Sequence, residues 1–401
     1  MNGLVLSGGG GKGAYQIGVW KALRKMHYKI DIVTGTSVGC LNALLITQNS
    51  KFLAPFIWSR IDFREIFQDD VKKEQTTKEM LEMYGKNIIK NKGMSTDNLQ
   101  KKLDMVVNYH KFYNSKTNFG LIAVNLSNLK PIVLTKKDIP KDKLKDYVMA
   151  SATCFPAFKM KDIDGKKYID GGYYDVLPIN LAIDMGATRI VAVDLKSVGI
   201  RRKIKKNNAS ITYIYPRNNI GHSLLFNRNV NKTNMRYGYN DTLKTFNRLD
   251  GDKYTFKKNQ ICKINTSMIK NNILYFLNTK EKDIKNNLLI NKSINPFITN
   301  KNDSDDYLQL LEELGYLYKV PDFKIYSLNK FNKILKKQFM SNELIKNIKV
   351  YSSKEEVISY LYYCMINNDI KKIKKASLLH CHEFICAIYL YTIIKGEYHA
   401  V

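Results

Sequence analysis

The sequence predicts an α/β layer fold with a largely parallel sheet, followed by a mainly helical C-terminal region. Three observations predict it. Short aliphatic runs alternate with helix-period segments through the first 200 residues or so. Two of those runs, the first two in the chain, lead straight into glycine-bounded turns. Beyond about residue 257, Lys, Asn, Ile, Leu and Tyr dominate and helical patterns recur.

Leu4-Val5-Leu6 is the first strand, and Ala14 to Met26 follows with helical periodicity at Ile17, Trp20, Ala22 and Leu23. Ile30 to Val33 is a second strand, leading through a glycine-bounded turn into a helix that begins near Val38. Residues 52–117 break the rhythm: they are Lys-rich and poor in β runs, which predicts an inserted helical cap. Strands are expected at Phe119–Val124 and Pro131–Leu134, then a helix around Lys141–Ala150, then strands at Tyr168–Ile169 and Arg189–Val193. Pro178 opens a helix between the last two, because proline suits a first helical turn. Residues 199–210, with Arg201, Arg202, Lys203, Lys205 and Lys206, are expected to form a basic surface loop. Further helices are expected near Asp306–Tyr318, Leu328–Phe339 and Glu355–Lys375.

A chain of 401 residues exceeds what one core usually needs. We therefore expect a domain over 1–256, with its cap at 52–117, and a helical domain of unknown role over 257–401. At 44% apolar and 25% charged residues the composition is that of a globular protein. No apolar run approaches the ~18 residues of a membrane span, and Met1 to Leu6 runs into glycines instead of forming a signal peptide. A cytoplasmic address, peripheral to membranes at most, is the expectation.

The net charge of +29 is uneven: 30 basic against 19 acidic residues over 1–198, and 35 against 17 over 199–401. Such a surface attracts polyanions, an anionic membrane or a nucleic acid, although Lys, Asn and Ile also rise together when coding DNA is AT-rich. No nucleic-acid recognition module accompanies the charge, so nucleic acid is not an expected partner. The six cysteines show no paired spacing and read as reduced, mostly buried thiols. His380-Cys381-His382 with Cys386 has the residue types of a metal site. It lies in an apolar periodic stretch without a second ligand pair at zinc spacing, so a packed helix interior is the better account and no metal is expected.

Three elements carry chemistry. Gly35-Thr36-Ser37-Val38-Gly39 is a G-x-S-x-G between a strand and a helix. A serine hydroxyl needs exposure on a tight turn with a base in reach, and the flanking glycines permit that turn. Gly8-Gly9-Gly10-Gly11-Lys12-Gly13 likewise joins a strand to a helix, and bare glycine N–H groups are what an oxyanion hole requires. Gly8, Gly10 and Gly13 also fit a dinucleotide fingerprint with Asp31 downstream. Asp31, however, stands at the start of the second strand, where a ribose-binding acid belongs at its end. A P-loop fails because Gly13, not Ser or Thr, follows Lys12. Tyr168-Ile169-Asp170-Gly171-Gly172 is a third strand end running into glycines; Asp170 is either a turn cap or the base for Ser37. The order Ser37, Asp170, His222 matches an α/β-hydrolase triad, but only one strand and one helix precede the serine, too few for that fold.

Together these motifs resemble the patatin-like phospholipase family. The resemblance is carried by Leu6 to Tyr15, by Gly35 to Gly39, by Ser151-Ala152-Thr153-Cys154-Phe155-Pro156-Ala157-Phe158, by Asp170-Gly171-Gly172 with Pro178, and by Gly238 to Thr242. It spans about residues 1–256. It implies a three-layer α/β/α core, a Ser37–Asp170 dyad and an oxyanion loop at Gly9, Gly10 and Gly11, with Gly8, Lys12, Gly13, Gly35, Gly39, Gly171 and Gly172 in support. Lys12 stands where plant members more often carry Arg, so the resemblance is to the bacterial branch. The implied activity is a cofactor-free phospholipase A or lysophospholipase acting on phospholipid. An acyltransferase with the same acyl-enzyme, or a basic membrane-binding protein on a hydrolase-like core, are the alternatives.

Overall fold

A computed structural model describes residues 1–62, 94–206, 208–281, 294–298, 304–349 and 352–395. Its contacts divide the chain into two units, Met1–Phe246 and Asn247–Val401. The division falls ahead of the composition change near residue 257, because Leu249–Asp250 and Thr255–Lys257 pair with each other. No described helix is long and apolar enough to cross a membrane.

In the first unit the strands are β1 (Asn2–Leu6), β2 (Ile32–Gly35), β3 (Asn118–Asn125), β4 (Lys130–Thr135), β5 (Lys161–Ile163), β6 (Lys166–Asp170), β7 (Arg189–Val193) and β8 (Ser210–Ile214). They form one sheet in the order β5-β6-β3-β2-β1-β7-β8, with β4 also paired to β3. The run from β3 through β8 is parallel, and β4, β5 and β6 are antiparallel additions at the other side. β1 occupies the centre, and every one of its residues is buried, as its uninterrupted apolar run requires. Helices α1 (Ala14–Lys25) and α2 (Val38–Thr47) follow the first two strands. Then come α3 (Leu53–Arg60), α4 (Asp97–Val106), α5 (Tyr109–Tyr113), α6 (Leu144–Ala152), α7 (Ile179–Asp184) and α8 (Arg228–Thr245). Residues 63–93 of the expected cap lie outside the described residues; α3, α4 and α5 are its described helices.

α1 and α8 are tied by buried polar groups. The Tyr15 hydroxyl donates to Asp241 Oδ2 at 2.9 Å, and Lys244 pairs with the same carboxylate at 3.0 Å. Burial beside that carboxylate pushes the Tyr15 hydroxyl well above its ordinary pKa, so it stays protonated and serves as a donor.

The second unit contains β9 (Leu249–Asp250), β10 (Thr255–Lys257) and β11 (Ile325–Tyr326) in a small mixed sheet. Around it lie α9 (Thr266–Leu277), α10 (Ser304–Leu317), α11 (Leu328–Met340), α12 (Lys354–Ile366), α13 (Ile370–Leu379) and α14 (Cys381–Lys395). The single helical pattern expected over Glu355–Lys375 is two helices. Asn368 takes a left-handed backbone conformation (φ 54°), and Asp369 caps the next helix by accepting the Lys372 amide at 3.1 Å. The core joins Phe256, Tyr326 and Phe331 to α14, whose Phe384 to Leu390 are all buried.

Candidate active site

The site arises where two strands of one edge end head-on. β2 pairs with the first half of β3, with Gly35 opposite Leu121, and β6 pairs with the second half in the opposite direction, with Asp170 opposite Ala123. β4 fills the other edge of β3. The ends of β2 and β6 therefore meet in the gap between Leu121 and Ala123, and Ser37 and Asp170 meet with them.

Ser37 sits at φ 59° and ψ −132°, outside the ordinary regions for an L-residue, between β2 and the first turn of α2. The turn is possible because of Gly39: a Cβ there would lie 2.3 Å from the Leu6 carbonyl oxygen. Two buried hydroxyls hold the elbow. Thr36 Oγ1 donates to the Asp175 carbonyl at 2.8 Å, and the Ser37 amide donates to Ser151 Oγ at 3.2 Å. The start of α2 puts the positive end of a helix beside the Ser37 hydroxyl.

Asp170 is 4% exposed. Its carboxyl accepts the Gly172 amide at 2.7 Å, and the Ser37 hydroxyl lies near enough to lower its pKa. Burial raises its pKa to about 6, against the lowering effect of those two donors. A buried carboxylate beside a serine hydroxyl and titrating near 6 has the proton affinity of a base at neutral pH.

The glycine loop lies beside this pair. Gly9 (φ 157°) and Gly10 (φ 51°) adopt conformations that glycine favours, and a Cβ on Gly10 would lie 2.1 Å from the Ser223 carbonyl oxygen. Gly8 and Gly11 donate their amides to the Val176 and Ser223 carbonyls at 2.9 and 2.6 Å. Among the described residues the Gly9 and Gly10 amides have no protein acceptor, and these two residues line the cavity beside Ser37. Of the expected triplet, then, Gly9 and Gly10 present open donors and Gly11 is engaged. Lys12 and Gly13 continue the turn into α1 and do not line the cavity.

A buried amide network underpins the loop, and no short motif announces it. Gln16 Nε2 donates to the Ser7 carbonyl at 2.7 Å, at the entry to the loop. Asn42 Nδ2 donates to the Gly13 carbonyl at 3.0 Å, at its exit, and to Gln16 Oε1 at 2.8 Å. Trp58 Nε1 donates to Asn42 Oδ1 at 2.9 Å. Asn42 sits on α2, so one side chain fixes both ends of the loop to the helix that carries Ser37.

A cavity of about 650 Å³ opens onto Ser37 and Asp170, within the range of small-molecule binding pockets. Leu41, Trp58, Ile61, Leu99 and Phe226 give it apolar walls. Val198, Ile200 and Tyr173 also line it and are strongly exposed, which places them at its mouth, next to the basic stretch Arg201-Arg202-Lys203. His222 reaches the cavity wall, but its Nδ1 accepts the Leu224 amide at 3.2 Å, while Asp170 is the carboxyl beside the Ser37 hydroxyl. Asp31 is occupied elsewhere: its carboxylate accepts the Asn2 amide at 2.9 Å and pairs with Lys29 at 2.7 Å. The expectation of mostly buried thiols is corrected at Cys154 and Cys262, which are exposed; Cys40, Cys364 and Cys386 are buried.

Residues 4–183 match the family model for patatin-like phospholipase, a span that runs from β1 into α7 and contains both Ser37 and Asp170. Patatin-like phospholipase domain-containing protein 6 of Mus musculus is 26% identical over 216 residues, covering 48% of this chain and 13% of that protein. Lysophospholipase nte1 of Aspergillus terreus is 27% identical over 201 residues, covering 49% of this chain and 12% of its own length. This chain thus corresponds to about an eighth of the length of those relatives. VipD from Legionella pneumophila, a solved structure, aligns over 98% of this chain and 90% of its own, at 13% identity and a TM-score of 0.35, too weak a likeness to argue from. Over residues 4–183, the chain carries a patatin-like phospholipase domain.

Proposed function

We propose that this protein hydrolyses fatty acyl esters of phospholipids or lysophospholipids, with Ser37 as nucleophile and Asp170 as base. The observation that supports it most is the placement of Ser37, on its strained elbow, beside the buried carboxyl of Asp170, whose pKa lies near 6. Asp170 takes the Ser37 proton as Oγ attacks the ester carbonyl carbon. The carbonyl oxygen gains the negative charge, and the Gly9 and Gly10 amides stabilise it as two preorganised donors. The carbon–oxygen bond to the leaving alcohol breaks, and that alcohol departs with the proton held by Asp170. Water, deprotonated by the same carboxylate, then attacks the acyl-serine and releases the fatty acid.

The walls and the mouth support this substrate class. An apolar cavity of about 650 Å³ suits an acyl chain. Exposed Val198 and Ile200 beside Arg201-Arg202-Lys203 suit docking on an anionic bilayer, where apolar side chains enter and basic ones stay at the headgroups. Binding to anionic vesicles that weakens as salt rises is the expected behaviour. The deciding experiment is fatty-acid release from mixed anionic phospholipid vesicles, read by mass spectrometry, with a soluble short-chain ester in parallel. Ser37→Ala should lower both rates by at least about a thousandfold without unfolding the protein. Retained release in that variant would overturn the assignment. Transfer of the acyl group to an added alcohol in place of hydrolysis would redirect it to acyl transfer.

A further inference from the structure

We infer that Glu313, His382 and Cys386 form a transition-metal site in the second unit, of the class that takes Zn²⁺ or Co²⁺. His382 and Cys386 stand one turn apart on α14, so both side chains leave the same face of the helix. Glu313 reaches that face from α10. The three donor atoms, one from each residue, all lie within 4.8 Å of one another. Tetrahedral ligands around zinc are about 3.5 Å apart, given metal–ligand bonds of about 2.0–2.3 Å. Side-chain adjustment alone covers the difference.

The donor set is selective. Imidazole and thiolate favour borderline and soft ions, and a single carboxylate with them excludes the all-oxygen shells of Mg²⁺ and Ca²⁺. The neighbouring pieces of the original motif are engaged elsewhere: the Cys381 thiol donates to the Ser377 carbonyl at 3.1 Å. Sequence spacing could supply only two ligands, because the third lies 69 residues away.

The surroundings fit a bound dication. Cys386 has no exposed surface, and apart from the Lys354 ammonium its charged neighbours are Glu313 and Glu383. Glu313 uses one oxygen toward His382, and its Oε1 accepts from Lys354 Nζ at 2.7 Å. The first oxygen can pass to the metal while Lys354 holds the second, the usual outer support of a ligating carboxylate. The charges then cancel: the dication and Lys354 against Glu313, Glu383 and the Cys386 thiolate. Binding breaks the His382–Glu313 hydrogen bond, moves the Nε2 proton to Nδ1, or to solvent where Nδ1 already carries one, so that Nε2 can ligate, and releases the thiol proton to solvent. His382 is 44% exposed, which leaves the fourth position open to water.

The test uses the full chain, stripped with a chelator under reducing conditions and titrated with Co²⁺. One equivalent should bind, with a thiolate-to-cobalt charge-transfer band in the near ultraviolet and the visible bands of a tetrahedral ion. Zn²⁺ should abolish both. Cys386→Ser should remove the charge-transfer band, Glu313→Gln should weaken binding at least about tenfold, and Cys381→Ser should change neither. Circular dichroism establishes that each variant is folded, and the half-exposed His382→Ala supplies an independent loss of binding if Cys386→Ser is not. Absence of the band in the unmodified chain, or its persistence in folded Cys386→Ser, would overturn the site and leave Lys354, Glu313 and His382 as an ion-pair triad. Ester hydrolysis does not enter any of these readouts.

Discussion

The two units hold polar groups in their interiors in different ways. In the first unit the buried polar atoms cluster at strand ends and hold backbone: Gln16 and Asn42 clamp the glycine loop, Thr36 and Ser151 clamp the elbow, and Asp170 accepts from Gly172. In the second unit the interior is mostly side-chain packing, with Tyr254, Phe256, Tyr326 and Phe331 meeting ring to ring and α14 buried without a break from Phe384 to Leu390. The first arrangement strains the chain to position reactive groups. The second stabilises the fold around the proposed metal site. Substitutions should therefore trade activity against stability in the first unit and, away from Glu313, His382 and Cys386, simply lower stability in the second.

The largest effect is expected at Asp170. Its folded pKa of about 6 exceeds the ordinary 3.8, so the folded state holds its proton more tightly than the unfolded chain. Stability is then full below 3.8 and falls as pH rises through the window up to about 6. At neutral pH the buried charge costs about 3 kcal/mol. Asp170→Asn removes it and keeps an acceptor for Gly172. Activity on a soluble ester should drop at least about a thousandfold, while denaturant unfolding at pH 7 should show a gain of about 1–3 kcal/mol that vanishes near pH 4. For the unmodified protein kcat/KM should rise with pH through about 6, as the base ionises. An Asp170→Asn variant less stable than its parent at pH 7 would erase the contrast between the units. Phe331→Ala is the matching change in the second unit. Phe331 is fully buried, with ring centroids 5.1 Å from Phe256 and 5.4 Å from Tyr326. Its loss should cost about 3–5 kcal/mol at every pH, measured by the same denaturant unfolding.

The same contrast explains what the sequence made legible. Gly35 to Gly39 and Gly8 to Gly13 could be read directly, because a strained turn imposes its glycine requirement on adjacent residues. Asp170 could be read only beside them, since Asp-Gly-Gly makes a good turn anywhere. Helix α8 shows no apolar period because the face it buries is polar: Asn231 and Asn234 donate to the Ile61 and Ile220 carbonyls, and Asp241 pairs with Lys244. Only its Gly238 to Thr242 stretch was recognisable, and by resemblance alone. Strand β8 was hidden behind the basic loop, with a single fully buried residue, Ile214, among its five. Gln16, Asn42 and Trp58 were invisible for another reason: they are scattered in the chain and meet only once α1, α2 and α3 are packed. Glu313 was missed the same way, since nothing local ties it to His382 and Cys386.

Smaller effects sharpen the comparison further. Asn42→Ala deletes three buried hydrogen bonds that fix the glycine loop to α2. A loop displaced by a fraction of an ångström should lower kcat about ten- to a hundredfold with little change in KM, because the amides act on the transition state. Trp58→Phe removes one of the three bonds and should give a milder loss. Equal losses in kcat/KM arising from KM alone would assign the network to substrate binding.

The smallest expected change is Ser353→Ala, at the start of α12. Ser353 Oγ accepts the Glu356 amide at 3.2 Å, and Glu356 Oε2 accepts the Ser353 amide at 2.7 Å, a reciprocal cap that satisfies two otherwise open donors. Removing the hydroxyl breaks the first bond and leaves the second. The loss should be about 1 kcal/mol, read as a lower denaturation midpoint with an unchanged slope. α12 also buries Val357, Ile358, Leu361 and Cys364, and packing of that kind outweighs one cap severalfold. A loss above about 3 kcal/mol would show that the second unit, like the first, depends on a few polar contacts at the ends of its elements.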